Sequence, residues 1–150
     1  MIILLARYAS PHFILEYGAC EGVLTEKLMN LGVVDCVEKA HVYRDRLKQK
    51  GFNIVDNPDT SLYDIVIAAA FLEYLEDPKD FLQSVKSKFL LIDVILNSNL
   101  DTNIQNILSD YALIQDAIVR PRWEQMYHGD VKEKMETYRL GSHGYLFKQK

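Results

Sequence analysis

The sequence predicts an α/β protein built on a doubly wound, mainly parallel seven-stranded sheet with an antiparallel C-terminal strand. Short apolar runs alternate along the chain with segments of helical periodicity, and strands that alternate with helices require right-handed crossovers and parallel pairing. The chain of 150 residues, of which 49% are apolar and 25% charged, has the length and composition of one globular unit. We therefore predict a single domain over residues 1–150.

The first half of the chain is predicted to supply three strands and two helices. In chain order they are a strand at 13–16, a helix at 23–31, a strand at 33–37, a helix at 40–50 and a strand at 52–55. Gly18 breaks the first apolar run, and leucines at helical spacing mark the helix that follows. Gly51 ends the second helix, because glycine accepts the left-handed conformation common after a helix. The basic residues of that helix are typical of a solvated face; they are Arg44, Arg46, Lys48 and Lys50.

The second half is predicted to complete the sheet. Its elements are a strand at 63–70, a helix at 78–85, a strand at 89–96, a helix at 101–109, a strand at 112–119 and a strand at 145–148. The first of these is nearly continuously apolar, which is typical of a central parallel strand covered on both faces. Asp77 and Pro78 supply an N-cap and a first-turn proline for the next helix. Because no long amphipathic segment separates the last two strands, the final strand is predicted to return antiparallel.

Composition and charge exclude several classes of protein. The formal charge is −4, from 21 acidic and 17 basic residues, so the long-range field disfavours a nucleic-acid partner. The longest apolar run, 65–72, is far shorter than the roughly 20 residues that cross a bilayer, so no membrane partner is expected. The apolar start has no basic leader, which predicts a cytoplasmic protein. Cys20 and Cys36 supply neither a disulfide framework nor a zinc site, and no metal is expected.

A glycine-containing loop follows the first strand, at the place where open α/β sheets bind their ligands. Gly18 allows a sharp turn, and the small residues Ala19 and Cys20 let the backbone approach a ligand. Gly22 opens the helix, whose N-terminus carries a partial positive charge. The loop is therefore a candidate cradle for an anionic or polar group. A tight strand-to-helix turn without a ligand is the alternative.

Polar residues also end the next two strands. Glu38 ends the second strand, where a carboxylate accepts hydrogen bonds from both hydroxyls of a ribose. Its alternative role is that of an acid at a helix N-terminus. Asp56 and Asn57 end the third strand, where a short polar side chain can meet the exocyclic amine of a purine, although both are also ordinary turn residues before Pro58. Together these residues predict a nucleoside site.

Four segments together resemble the class I S-adenosylmethionine-dependent methyltransferases over nearly the whole chain. The segment 14–22, Ile-Leu-Glu-Tyr-Gly-Ala-Cys-Glu-Gly, resembles the first motif of that family, an acidic residue followed by a glycine-rich loop. The segment 33–38 resembles the second strand with its ribose-binding acid, and 63–67 resembles the fourth strand. The segment 68–77, Ala-Ala-Ala-Phe-Leu-Glu-Tyr-Leu-Glu-Asp, resembles the stretch that follows. The loop and this last segment are most similar to the small NodS-like and related sugar methyltransferases.

The resemblance implies a Rossmann-like fold with S-adenosyl-L-methionine as the cofactor. The residues that it places at the cofactor are Glu16, Gly18, Ala19, Cys20, Gly22, Glu38, Asp56, Asn57, Ala69 and Phe71. The chain departs from the family where Cys20 replaces the central glycine and where the helix before the first strand is cut down to 1–10. Ala68 and its neighbours replace an Asn-Pro-Pro-Tyr or Asp-Pro-Pro-Tyr motif, which disfavours amino methylation of DNA bases or glutamine.

Methyl transfer requires few catalytic residues. The sulfonium is already an activated donor, so the protein chiefly aligns the nucleophile with the methyl group. A hydroxyl acceptor benefits from a base, and His128 in the segment 123–128 is the candidate; a solvent-exposed loop histidine is the alternative. Glu73 and Tyr74 follow the central strand and are candidates to orient the acceptor, although Glu73 also fits the acid of a helix start.

The sequence therefore predicts an S-adenosylmethionine-dependent methyltransferase that acts on a hydroxyl or amine of a small molecule or sugar. The alternative is a non-catalytic S-adenosylmethionine-binding regulatory or partner subunit, which the shortened N-terminus and the altered glycine motif favour. A nicotinamide-dependent oxidoreductase is disfavoured, because Cys20 interrupts the Gly-x-Gly-x-x-Gly pattern and no Tyr-x-x-x-Lys pair occurs. The acceptor, the methylated atom and the oligomeric state stay open at this point.

Overall fold

The computed structural model describes residues 2–95, 99–119 and 142–150. The helices are α1 (Ile2–Tyr8), α2 (Val23–Leu28), α3 (His41–Gln49), α4 (Pro78–Ser84) and α5 (Asn99–Ile107). The strands are β1 (Phe13–Tyr17), β2 (Val33–Val37), β3 (Asn53–Ile54), β4 (Ile65–Ala68), β5 (Phe89–Ile95), β6 (Tyr111–Val119) and β7 (Ser142–Gln149). Two short 3₁₀ helices, Thr60–Leu62 and Leu72–Tyr74, flank β4.

The strands form one seven-stranded sheet in the order β3-β2-β1-β4-β5-β7-β6. The strands from β1 to β5 pair in parallel, and β7 is antiparallel to both of its neighbours. The predicted sheet, including its antiparallel C-terminal strand, is therefore confirmed. The strand order reverses between β1 and β4, so the crevice at their carboxyl ends is the place where an open α/β sheet binds a ligand.

Apolar side chains cover both faces of the sheet. Leu15 and Val66 point to the face covered by α4 and α5, whereas Ile14 and Ile65 point to the face covered by α1, α2 and α3. Successive side chains of a strand alternate between faces, so a strand that is buried on both sides must be apolar at every position. All four residues of β4 are buried, which explains its continuous apolar run.

Several element boundaries differ from the prediction. The central strand ends at Ala68 rather than at 70, because Ala70 turns into the left-handed region at φ 48°. An apolar run alone does not separate a buried strand from the partly buried turn that follows it. β3 is a two-residue strand at the sheet edge rather than the segment 52–55. The helix predicted over 23–31 ends at Leu28, and the chain then turns through a hydrogen bond of 2.7 Å from Leu31 N to Leu28 O.

Helix caps account for the sharpest element starts and stops. The Asp77 carboxylate accepts a hydrogen bond of 2.9 Å from Asp80 N, and Pro78 begins α4, as predicted. Gly51 follows α3 at φ 80°, the left-handed conformation expected of a glycine after a helix.

None of the helices in the described ranges is both long enough and apolar enough to cross a membrane.

Candidate functional site

The predicted cofactor residues gather at one edge of the sheet. β1, β2, β3 and β4 are parallel neighbours, so their carboxyl ends meet at this edge, which we call the site edge. Glu16 of β1 lies in register with Cys36 of β2 on one side and with Ile67 of β4 on the other. The turns that follow these strands therefore lie together at the reversal of strand order, where an open α/β sheet binds its ligand.

The loop after β1 places alternate residues in the left-handed region. Gly18 has φ 73°, Cys20 has φ 49° and Gly22 has φ 77°. Gly18 N donates to Val37 O at 2.8 Å, and Gly22 N donates to Ala19 O at 2.8 Å, so the loop is fixed to β2 and closed on itself. The predicted sharp turn at Gly18 and helix start at Gly22 both occur. Cys20 adopts a conformation that costs a non-glycine residue roughly 1 kcal/mol.

Glu38 connects this loop to the start of α3. Its side chain is almost entirely buried, with 8% relative exposure of the residue. One carboxylate oxygen accepts from Cys20 N at 2.9 Å, and the other accepts from Ala40 N at 2.8 Å. Ala40 is the N-cap residue of α3, so the carboxylate oxygen that accepts from Ala40 N also gives Glu38 its alternative role as an acid at a helix start. The other oxygen contacts the glycine loop instead. Each carboxylate oxygen has a second lone pair, so the group keeps acceptor capacity for ribose hydroxyls.

Glu16 is the most deeply buried acid of the site edge, at 2% exposure. Thr25 Oγ1 donates to its carboxylate at 2.6 Å, and the Cys36 thiol lies 3.8 Å from that hydroxyl. Burial raises the pKa of Glu16 to about 7, against the opposing effect of the Thr25 hydrogen bond. Sequence analysis missed Thr25 and Cys36 as partners of this acid. The available signal was a threonine at an inward-facing position of an otherwise apolar helix face.

The two cysteines stay protonated at neutral pH. Burial raises the pKa of the Cys20 thiol, and Glu38 adds to the increase. Burial also raises the pKa of Cys36 to about 12. Neither thiol therefore has the low pKa of a nucleophilic cysteine.

The turn after β3 carries Asp56 and Asn57 to the same edge. Asp56 forms a two-pronged ion pair with Arg44, with nitrogen–oxygen distances of 2.9 and 3.1 Å. This pair lowers the pKa of Asp56. Asn57 adopts φ 49°. The interpretation of the α3 cations as a plain solvated face is wrong for Arg44, whose side chain is only 18% exposed.

The turn after β4 is held by an acid and covered by a cluster of aromatic rings. Ala70 N donates to Asp93 Oδ1 in a short hydrogen bond. The Phe71 ring packs with Tyr17 and Phe81 at centroid distances of 5.6 and 5.4 Å. A Cβ atom built on Gly18 would lie 2.8 Å from Phe71 Cδ2, so Gly18 is also the residue that makes room for this ring. The sequence contained these aromatic residues, but their convergence was not predicted.

The catalytic candidates divide between described and undescribed parts of the chain. Glu73 and Tyr74 lie in the 3₁₀ helix after β4, and both are exposed. Their position in the chain keeps them next to the Ala69–Phe71 turn at the site edge. The predicted base His128 lies outside the described residues.

The residues present fit a cationic nucleoside. Two buried carboxylates, Glu16 and Glu38, lie at the carboxyl ends of the adjacent strands β1 and β2, and the loop between them carries the short side chains of Ala19 and Cys20. A sulfonium nucleoside requires carboxylate acceptors for its hydroxyls and negative charge near its cationic groups. The site edge supplies a carboxylate acceptor in Glu38 and a second acid, Glu16, that is partly ionised near neutral pH.

Comparison with known proteins finds similarity in structure alone. No protein-family model matches the chain, and no curated protein matches it by sequence. The structure superposes on PH1948 of Pyrococcus horikoshii, a proposed RNA methyltransferase, with a TM-score of 0.71 at 16% identity, covering 97% of this chain and 81% of that one. It superposes on the magnesium protoporphyrin IX methyltransferase ChlM of Synechocystis PCC 6803 with bound SAM, with a TM-score of 0.72 at 13% identity, covering 99% and 76%.

A third solved structure bears on the predicted subgroup. The N-methyltransferase NodS of Bradyrhizobium japonicum WM9, in complex with S-adenosyl-L-homocysteine, matches with a TM-score of 0.68 at 14% identity over 99% of this chain and 85% of that one. The names of these neighbours specify RNA, magnesium protoporphyrin IX and N-methylation, so the shared architecture does not specify one acceptor. The three superpositions cover 97–99% of this chain. The chain therefore has the fold of the class I S-adenosylmethionine-dependent methyltransferases.

Proposed function

We propose that this protein is an S-adenosylmethionine-dependent methyltransferase that acts on a hydroxyl or amine of a small molecule or sugar. The observation that carries the proposal is the buried Glu38 carboxylate, held between Cys20 N and Ala40 N at the reversal of strand order. The backbone contacts fix its orientation and leave acceptor capacity at each oxygen. A residue with only a structural role in helix capping does not need a second contact to the neighbouring loop.

The cofactor residues have distinct proposed tasks. Glu38 accepts the ribose hydroxyls, and Asp56 or Asn57 accepts a hydrogen bond from the exocyclic amine of the base. Glu16, whose pKa is raised to about 7, is a partly ionised acid beneath the loop. The remaining backbone and apolar contacts come from Gly18, Ala19, Cys20, Gly22, Ala69 and Phe71. When bound, S-adenosyl-L-methionine supplies a methyl group that its sulfonium sulfur has already activated.

The other proposed tasks are alignment, exclusion of water and removal of a proton. The rings of Tyr17, Phe71 and Phe81 form an apolar cluster beside the loop, which keeps water from that side of the crevice. Glu73 and Tyr74 orient the acceptor by hydrogen bonds, and His128 removes its proton when the acceptor is a hydroxyl. An amine acceptor requires only that it arrive unprotonated.

The choice of acceptor class follows from charge. A formal charge of −4 produces a field that repels polyanions, so we favour a small molecule or a sugar over RNA or DNA. Solved structures with this fold include a proposed RNA methyltransferase, which makes an RNA acceptor the competing result of the assay below.

The cofactor is tested by calorimetric titration with S-adenosylmethionine, S-adenosylhomocysteine and NAD. We expect binding of the first two and not of NAD; binding of NAD alone would overturn the proposal. Methyl transfer is tested with labelled S-adenosylmethionine against panels of sugars, amines, RNA and protein extracts. For a hydroxyl acceptor, His128→Ala is expected to reduce turnover by about 10²-fold while cofactor affinity is retained. An unchanged rate at several pH values removes His128 as the base.

A second candidate function is a non-catalytic subunit that binds S-adenosylmethionine. Two observations favour it: Cys20 stands in the left-handed region where a glycine has no strain, and the Phe71 ring lies against Gly18. The Cys20 side chain and the Phe71 ring both reduce the space that the loop leaves for a ligand. Cofactor binding without transfer to any member of the panel would support this second function over the first.

A further inference from the structure

Arg44 of α3 contacts two of the proposed nucleoside-binding segments at once. Its Nη1 donates to the backbone oxygen of Glu38 at 2.8 Å and to Asp56 Oδ1 at 2.9 Å. Its Nη2 donates to Asp56 Oδ2 at 3.1 Å. One guanidinium therefore joins the end of β2 to the turn after β3.

The two side chains of this ion pair differ in exposure, so the less exposed Arg44 is the partner that the fold holds in place. The Arg44 side chain is 18% exposed, whereas the Asp56 side chain is 71% exposed. An ion pair with so exposed a partner contributes little to stability, because solvent screens it. Its planar two-pronged geometry does fix the orientation of the carboxylate. The consequence of the pair is therefore the placement of Asp56 rather than the stability of the fold.

The turn after β3 follows a short strand at the side of the sheet. β3 is two residues long and pairs with β2, through Asp35 opposite Asn53 and Cys36 opposite Ile54. The Asn53 side chain also donates a hydrogen bond of 2.7 Å to Asp35 Oδ1. The Val55 N to Cys36 O hydrogen bond of 2.9 Å extends the pairing by one residue. Beyond it the chain enters the turn, where the two hydrogen bonds from Arg44 restrain the Asp56 side chain.

The contacts continue from Arg44 to the glycine loop. The Glu38 carbonyl oxygen accepts a hydrogen bond from Arg44, and the Glu38 carboxylate accepts one of 2.9 Å from Cys20 N. Cys20, Glu38, Arg44 and Asp56 therefore form one hydrogen-bonded path along the site edge. The path links the segments proposed to contact the amino-acid, ribose and base portions of the cofactor.

We propose that Arg44 is a positioning residue that sets the distance between the ribose-binding carboxylate and the base-binding turn, and thereby makes the site selective for adenine nucleosides. This inference rests on the proposed function. Arg44 acts through Glu38 and Asp56 and needs no contact of its own with the cofactor. A lysine cannot replace it, because an ammonium lacks the planar fork that holds both carboxylate oxygens.

The test compares two ligands that differ only in the base. S-adenosylhomocysteine and S-inosylhomocysteine are titrated calorimetrically into the parent, Arg44→Met and Lys48→Met proteins. Lys48 is the matched control, because it is an exposed cation of the same helix that also acts on Asp56 through space. We expect the parent and Lys48→Met to prefer the adenine ligand. Arg44→Met is expected to lose about tenfold in affinity for it and most of the preference.

The second variant separates positioning from charge. Arg44→Lys keeps the cation, so it is expected to retain the thermal midpoint of the parent but not its adenine preference. An Arg44→Met or Arg44→Lys protein with the ratio of the two affinities unchanged overturns the inference, whether or not its thermal midpoint falls. If the parent binds neither ligand, the proposed function fails, and that result is visible before any variant is compared.

Discussion

At the edge of the sheet where the strands begin, the Asp64 carboxylate accepts hydrogen bonds from His12 N at 2.8 Å and Phe13 N at 3.0 Å. Both hydrogen bonds lower the pKa of Asp64, and the bond from Phe13 N has the larger effect. At the opposite edge, Glu16 is buried beneath the glycine loop, and burial raises its pKa to about 7. The fold therefore stabilises the charged form of Asp64 and destabilises the charged form of Glu16.

Backbone strain follows the same division. Among the described residues, the non-glycine positions with positive φ are Ser10, Cys20, Asn57 and Ala70. The last three follow β1, β3 and β4 at the site edge, and only Ser10 lies near the opposite edge. Unfavourable conformations and shifted pKa values tend to collect where a protein binds or reacts, because the rest of the fold can hold them there. Asn57 and Ala70 lie outside the glycine loop, so their backbone conformations support this location of the site independently of that motif.

The largest expected effect tests the buried acid. The folded-state pKa of Glu16, about 7, lies above its ordinary value of 4.5, so its contribution to stability is complete below pH 4.5 and is lost as the pH rises through 7. Between pH 4.5 and 8 the parent should lose about 3 kcal/mol more unfolding free energy than Glu16→Gln, because the variant has no titrating group at this position. Denaturant unfolding of both proteins across that range measures it.

The parent curve is the control, because every other group titrates equally in both proteins. Parallel curves for the parent and Glu16→Gln would show that Glu16 is not the strained acid, and the contrast between the two edges would disappear.

The next effect concerns Glu38 and the cofactor. Glu38→Ala removes the charge-assisted hydrogen bonds proposed for the ribose and should weaken S-adenosylhomocysteine binding by about 2 kcal/mol, or roughly 30-fold. Glu38→Gln keeps one acceptor oxygen and should retain part of the affinity. Calorimetric titration decides between them. An unchanged dissociation constant in Glu38→Ala would place the ribose site elsewhere.

A smaller effect is expected at the opposite edge. Asp64→Ala leaves His12 N and Phe13 N without their acceptor and should lower the unfolding free energy by about 1 kcal/mol. Affinity for S-adenosylhomocysteine should stay at the parent value, since Asp64 lies at the far ends of the strands. A variant that loses cofactor affinity at unchanged stability would contradict the division between the edges.

The smallest effect tests strain in the loop. Cys20→Gly relieves the left-handed conformation at φ 49° but increases the conformational freedom of the unfolded chain, so the unfolding free energy should rise by only about 0.5 kcal/mol. Cys20→Ala removes the thiol and keeps the strain, and it is the matched control. If the alanine variant is as stable as the glycine variant, the strain at this position is negligible.

The sheet was predictable from the sequence because its central strands are buried on both faces and their apolar runs are interrupted by glycine and helical periodicity. The end of β4 was not, since Ala69 and Ala70 are apolar like the strand before them and only the backbone angle at Ala70 separates the two. Local sequence patterns do not reveal where a buried apolar segment stops being a strand.

The candidate site was predictable for residues that follow a strand directly, as Gly18 and Glu38 do. Arg44 was not, because its role depends on the register that brings the turn after β3 beside α3. A cation on a helix has the same sequence signature whether it faces water or a carboxylate. The tasks assigned to Glu73, Tyr74 and His128 stay predictions for the transfer assay.

The contact between Gly18 and the Phe71 ring restricts how this loop can diverge. A side chain at position 18 would be strained by its φ of 73° and would also collide with the ring at 2.8 Å. A smaller residue at position 71 would leave a void beside Tyr17 while glycine remained at 18. Replacing Phe71 by a smaller residue would remove the collision but not the backbone strain at position 18, so a library that randomises both positions together should still recover glycine at position 18.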